Sequence, residues 1–166
     1  LYPGGDNHMP QGHYDAGLGF ARAIEPLDVN GNPDPDGVYI LMSFGMSNAT
    51  QEFCSRDSDL PCDAWTFMGQ AGNDPMVNKT TLAIVNGAKG GQAAEDWERP
   101  DQENYDRILN EKLIPQGYSE LQVQIAWVKM ANRQPMVALP ADSADAFRLK
   151  TQFGSIVRSL KTRYPN

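Results

Sequence analysis

The sequence predicts an α/β domain built on a parallel sheet, in a three-layer α/β/α, flavodoxin-like arrangement. Three observations carry that expectation. Short apolar runs rich in β-branched and aromatic residues recur at Val38 to Phe44 (VYILMSF), Thr81 to Val85 (TLAIV) and Leu121 to Val128 (LQVQIAWV); they are too short for helices and read as strands. Helical spacing occupies Asn104 to Lys112 and Ala141 to Tyr164. Strands that alternate with helices call for right-handed crossovers, and so for parallel pairing. A length of 166 residues suits one domain.

Residues 1–37 read as an N-terminal extended loop segment. Asp28 to Gly37 (DVNGNPDPDG) is nearly all turn formers, and a short helix fits Asp15 to Ala23. Residues 38–166 form the α/β domain proper. The first run shows no period-two alternation, which suits a strand covered on both faces, and Gly45 ends it. A helical turn fits Asp63 to Met68. The second strand stops at Asn86-Gly87, Gly90-Gly91 begins a loop, and Gln92 to Trp97 fits a helix start. Tyr105, Ile108, Leu109 and Leu113 share one helical side, which Pro115 to Gly117 terminates. The third strand alternates at its start, hinting at one partly exposed face. The last helix is expected to be capped by Asp142 or Ser143 and to bury Ala146, Leu149, Phe153, Ile156, Val157 and Leu160. Arg158, Lys161 and Arg163 oppose its dipole favourably. Three strands make a narrow sheet, and a helix ending in RYPN is normally followed by another strand. The domain is therefore expected to be incomplete at Asn166, completed by a remaining C-terminal segment or by other chains of an assembly.

Composition narrows the function. A net charge of −7 argues against nucleic acid and against anionic membrane surfaces. No stretch approaches the roughly 18 apolar residues of a membrane span. The chain starts at Leu1, which suggests removal of an N-terminal segment. Cys54 and Cys62 flank a short polar loop, where a disulfide is the favoured reading and two free thiols the other. Together these place the protein outside the cell or in a periplasm. Asn48-Ala-Thr and Asn78-Lys-Thr match the glycosylation acceptor pattern. Asp6, His8, His13 and Asp15 read as polar loop residues, because no zinc-type ligand pattern surrounds them. Asp57, Asp59 and Asp63 lack the calcium-loop pattern. Glu95 and Asp96 are neighbours that do not face each other and read as an exposed helix start rather than a glycosidase pair. No metal and no cofactor is called for. Among the tryptophans, Trp127 reads as core, while Trp65 and Trp97 fit core or a sugar-sized cleft.

Ligand chemistry in an open parallel sheet gathers at the carboxyl ends of the strands. There the sequence places Gly45-Met46-Ser47-Asn48, Asn86 to Gln92 (NGAKGGQ) and Lys129 to Arg133 (KMANR). A serine just past a buried strand can stand free as a nucleophile, paired glycines let backbone N–H groups approach a ligand, and an asparagine can donate into the same crevice. This triple resembles the sequence blocks of the SGNH (GDSL-like) hydrolase superfamily. GMSN is similar to the first block in the form of the sialate O-acetylesterase and acetylxylan esterase branch, and NGAKGGQAAEDW is similar to the second. The whole pattern also resembles uncharacterised secreted bacterial relatives. The resemblance covers nearly the whole chain. It implies a carboxylic ester hydrolase, with carbohydrate O-deacetylation as the activity of the branch it resembles, Ser47 as nucleophile and an oxyanion hole of the Ser47 and Gly91 N–H groups and the Asn132 side chain. Asn48, Gly90, Gln92 and Trp97 would line the substrate site, with a small-molecule or carbohydrate ester as partner. Met130 and Arg133 stand where the third block usually has Gly and Asp. The Asp-x-x-His that supplies acid and base is expected beyond Asn166, since His8 and His13 lie in no such context. A serine without its base would leave the other reading, a non-catalytic glycan- or protein-binding or structural module on the same fold. A nucleotide-binding reading would need G-x-G-x-x-G after the first strand, and GMSNAT lacks it.

Overall fold

The computed structural model describes residues 2, 5–55 and 61–166. All three apolar runs form strands: β1 (Tyr39–Gly45), β2 (Leu82–Asn86) and β3 (Val123–Lys129). They make one parallel sheet in the order β2-β1-β3, with β1 central. Around it run α1 (Gln11–Ala23), α2 (Ser47–Phe53), α3 (Phe67–Asn73), α4 (Glu103–Arg107) and α5 (Asp145–Arg163). The protein is thus α/β with parallel pairing, as the alternation of apolar runs and helical spacing predicts.

One face of the sheet is closed. Ile40, Met42 and Phe44 of β1 are wholly buried, and Ala83 and Val85 of β2 continue their layer. Tyr105 and Ile108, Leu113 of the π turn Ile108–Leu113, Ile156 and Leu160 of α5, Trp97 and Tyr164 pack on them as one cluster. The rings are set edge-on in part: Trp97 meets Phe44 at 5.9 Å and Tyr105 at 5.5 Å, both at 89°, a geometry favoured by the ring quadrupoles. The Tyr105 hydroxyl donates to the Trp97 carbonyl at 2.8 Å.

The other face is only partly covered, which corrects the expectation that β1 is enclosed on both sides. In strand alternation, Tyr39 and Leu41 point there with Ile84, Ile125 and Trp127, and all are half-buried or more exposed. Helices α2 and α3 and the segments beside them lie over it, through Phe53, Trp65, Phe67, Ala71 and Val77. Trp127, expected in the core, is 37% exposed. The β1–β3 register slips between Ile40 and Leu41, so that Val123 and Ile125 face consecutive β1 residues. This bulge puts Trp127 on the open face and Val128 on the closed one.

Three helix boundaries also differ from expectation. Helix α1 starts at Gln11, ahead of Asp15, because the Pro10 carbonyl accepts the His13 and Tyr14 N–H groups at 3.0 Å; none of its residues is buried. Gln92 to Trp97 yields a single turn, Ala94–Asp96. Helix α5 begins at Asp145, and neither Asp142 nor Ser143 caps it. The Asp145 carboxylate instead accepts the Met136 and Val137 N–H groups at 2.7 and 2.8 Å, which folds the preceding loop across the helix start. In α5, Ala146 and Val157 are exposed, while Gln152 and Ser159 are buried. Both polar side chains have partners: Gln152 donates to Glu98 at 2.9 Å, and the Ser159 hydroxyl donates to the Glu98 carbonyl at 2.7 Å. Among the described residues, no helix is long and apolar enough to cross a membrane.

Cys54 and Cys62 are joined as a disulfide across a separation of 8 residues. It ties the end of α2 to the segment entering α3, and Cys54 is buried. Replacing both cysteines by serine is expected to lower stability by about 2–3 kcal/mol, from the chain entropy of so short a loop. Chemical denaturation of the double variant against the parent checks this.

Candidate functional site

The carboxyl ends of the strands meet around the end of β1. Gly45 is required there by space: a Cβ would lie 2.2 Å from the Lys129 carbonyl oxygen and 2.6 Å from the Ala49 Cβ. Strand β3 and helix α2 can close on the end of β1 only over a glycine. Two residues later Ser47 opens α2 and is exposed, as is Asn48. The Ser47 hydroxyl has no hydrogen-bond partner among the described residues.

The loop after β2 comes up beside Ser47. The Lys89 N–H donates to the Gly45 carbonyl at 3.1 Å. A Cβ built on Gly90 would lie 3.7 Å from the Ser47 Cβ, so the two residues are neighbours. Gly91 has φ +80°, a conformation that side chains disfavour by about 1–2 kcal/mol. It turns the loop back toward the Ala94–Asp96 turn.

A buried polar network that the sequence analysis did not anticipate fixes this geometry. Asn86, 5% exposed at the end of β2, accepts from the Ser43 hydroxyl at 2.7 Å. Its amide donates to the Thr50 hydroxyl at 2.7 Å and to the Thr50 carbonyl at 3.1 Å. The Ser43 oxygen in turn accepts the Ala88 N–H at 3.4 Å. Central strand, neighbouring strand end, α2 and the Gly-rich loop are therefore joined through one side chain. The signal available in the sequence was a serine inside an otherwise apolar strand, two residues before the strand's end.

The third strand end is built differently from expectation. Asn132 is 5% exposed, and its amide donates to Gln152 of α5 rather than to Ser47. Trp97, expected to line the substrate site, is wholly buried in the core and cannot touch a ligand; its place beside the Gly-Gly loop is structural, with its ring N–H directed at the Gln92 carbonyl at 3.4 Å. Gln92 itself is half-buried and accepts from Asn104 at 2.9 Å. Glu95 and Asp96, expected as an exposed helix start, are engaged. Arg133 meets Asp96 at 2.5 Å and Glu95 at 3.4 Å, and Arg148 lies 3.7 Å from Glu95. Arg133 thus clamps the loop after β3 to the turn Ala94–Asp96. Burial acts to raise the Glu95 pKa, but the hydrogen bonds from its own backbone and Arg133, and the charge of Arg148, outweigh it and hold the carboxyl lowered.

On the open face lies an aromatic cleft of about 580 Å³ bordered by Phe53, Trp65, Phe67 and Trp127. Phe53 stacks on Phe67 at 5.0 Å and on Trp127 at 5.5 Å. At its rim Lys129 pairs with Glu52 at 2.5 Å. The two histidines have other partners: His8 contacts Asp6 at 2.7 Å, and the His13 ring lies 5.8 Å from that of Tyr2. Asp15 accepts from Gln11 at 2.8 Å. No group of three or more metal-ligating side chains occurs among the described residues; Asp57 and Asp59 lie outside them. Asn78 is exposed, and its side-chain oxygen accepts the Thr80 and Thr81 N–H groups.

Fold and site define a class: an α/β protein with a parallel sheet, carrying a free serine at the end of its central strand beside a glycine-rich loop. Comparison with protein-family models, with curated proteins and with solved structures found no significant match.

Two outcomes follow. Asn86→Ala removes the buried hydrogen bonds that join β1 to α2 and should cost roughly 2–3 kcal/mol, read by urea denaturation. Because the folded Glu95 pKa is lowered, its contribution to stability is present above its ordinary value of 4.5 and lost as pH falls through the folded value. The contact of the Ala94–Asp96 turn with Arg133 should therefore loosen below about pH 4.5. Amide exchange at Ala94, whose N–H donates to Ala131 at 3.0 Å, should accelerate there in the parent, and the acceleration should be absent in Glu95→Gln.

Proposed function

We propose that this chain is a secreted carboxylic ester hydrolase of SGNH type on a three-layer, flavodoxin-like sheet, acting on carbohydrate esters with Ser47 as nucleophile. The observation that carries the reading is an exposed, unbonded serine at the carboxyl end of the central strand with Gly90 against it. The strand order β2-β1-β3 supports it by directing the three block-bearing loops to one end of the sheet. The Ser47 oxygen attacks the ester carbonyl, and the Ser47 and Gly91 N–H groups receive the developing oxyanion. The second amide hydrogen of Asn132 adds to them once its side chain is turned from Gln152. Each such donor is worth roughly 3 kcal/mol. The base for Ser47 is an Asp-x-x-His of the kind the resemblance implies. The Cys54–Cys62 disulfide supports an oxidising compartment.

A second reading, a non-catalytic glycan- or protein-binding module, is favoured by a specific observation. Among the described residues no imidazole is bonded to Ser47, while four aromatic side chains border an open cleft.

A fluorophosphonate probe separates the two. The hydrolase gives one covalent adduct, located at Ser47 by peptide mass, and Ser47→Ala gives none and loses ester turnover by at least about 10³-fold. Absence of any adduct from the parent, or turnover that survives Ser47→Ala, leaves the binding module.

A further inference from the structure

Arg107 ends α4 at 9% exposure, and among the described residues no carboxylate lies within ion-pair distance of it. Its guanidinium donates to the Gly87 carbonyl at 2.6 Å and to the Asn104 side-chain oxygen at 3.5 Å. The rest of its five donors have no partner among the described residues. Such burial is costly for an uncompensated charge. Burial lowers the Arg107 pKa from its ordinary value, and Glu111, acting without contact, pulls it back only in part.

The cavity beside this side chain, about 250 Å³, is the polar one at the loop after β2. Lys89, Gln92, Asp96, Glu103 and Asn104 border it together with Arg107. Its two acidic members do not neutralise the arginine. Asp96 is held by Arg133 and by the Ala93 N–H at 2.8 Å, and Glu103 is exposed in the first turn of α4. Lys89 is exposed and adds a second cation. Gln92 spends its oxygen on Asn104, which leaves its amide hydrogens for a ligand.

We propose that this cavity binds the anionic group of a ligand, a carboxylate or a phosphate- or sulfate-type oxyanion, with Arg107 as the buried cation, Lys89 as the exposed one and the Gln92 amide as donor. A guanidinium suits all of these because its planar fork matches two oxygens at once. The anion supplies the contact counter-charge that the described residues do not give Arg107. Joined to the Ser47 reading, on which this last step alone rests, the anion is the charged part of the ester substrate, since Gly90 belongs to the same loop and lies against Ser47.

Anion binding is measured without turnover, so it stands or falls apart from the hydrolase reading. Acetate, phosphate and sulfate are titrated at constant ionic strength, against chloride, into the parent and into Ser47→Ala, with melting temperature and calorimetry as readouts. Saturable binding by at least one oxyanion, equal in the parent and Ser47→Ala, is expected. Preference for acetate assigns a carboxylate, and preference for phosphate or sulfate assigns a tetrahedral oxyanion. Arg107→Met should abolish it, and Lys89→Glu, at an exposed position that leaves the fold intact, should weaken it at least about ten-fold. No saturable binding by the parent overturns the proposal. So does binding that Lys89→Glu leaves unchanged, or binding that survives in a folded Arg107→Met.

Discussion

The hydrogen bonds of Asn86 are the constraint on which the site depends. A parallel sheet sets its strands side by side but does not decide how the loops leaving their ends are arranged. Here one buried amide bonds the central strand through Ser43 and α2 through Thr50. In water each of these groups would be satisfied separately. In the interior each must find its partner within the protein, so the arrangement that pairs them is preferred. Ser47 at the head of α2 and the glycine-rich loop after β2 inherit their positions from it.

The sheet is asymmetric. Its closed face gathers the wholly buried residues, with Trp97 and Tyr105 packed edge-on as the keystone of that layer. Its other face leaves Leu41, Trp127, Phe67 and Trp65 bordering an aromatic cleft. Apolar surface held open in this way is where a ligand or a covering segment gains most from leaving water. Polar surface is concentrated instead around the loop after β2, where Arg107 and Lys89 stand. The two regions offer different chemistry, rings on one side and cations on the other, with Ser47 opening the helix between the two loops.

Charge pairing joins the loops after β2 and β3, with Glu95 and Asp96 opposite Arg133. The pairing keeps the loop after β3 joined to the turn before α4, a contact also made by the Ala94 N–H and the Ala131 carbonyl. Asn132, next to this clamp, is turned toward α5.

Much of the architecture was legible in the chain. The three strands were readable because a short apolar run of β-branched and aromatic residues has few other uses, and parallel pairing followed from the helices between them. The disulfide was readable from two cysteines so close in sequence, and Gly45, Ser47 and the Gly90-Gly91 pair from their position after strands. The burial of individual side chains was not. Trp127 left its expected place because a bulge in β3, invisible in the residue pattern, turned the strand's alternation over, and Trp97 is enclosed by Phe44 and Tyr105, which are distant from it in sequence or lie on another element. Gln152 is buried, unforeseen in the sequence, because burial of a polar group depends on a partner distant in sequence, here Glu98, and Val157, expected in the core, is exposed. Local pattern therefore determined which elements form and in what order. Long-range hydrogen bonds, register and charge pairing determined which faces close, where the polar side chains point and which cation is buried with no carboxylate at ion-pair distance among the described residues, because those energies exist only once the elements have met.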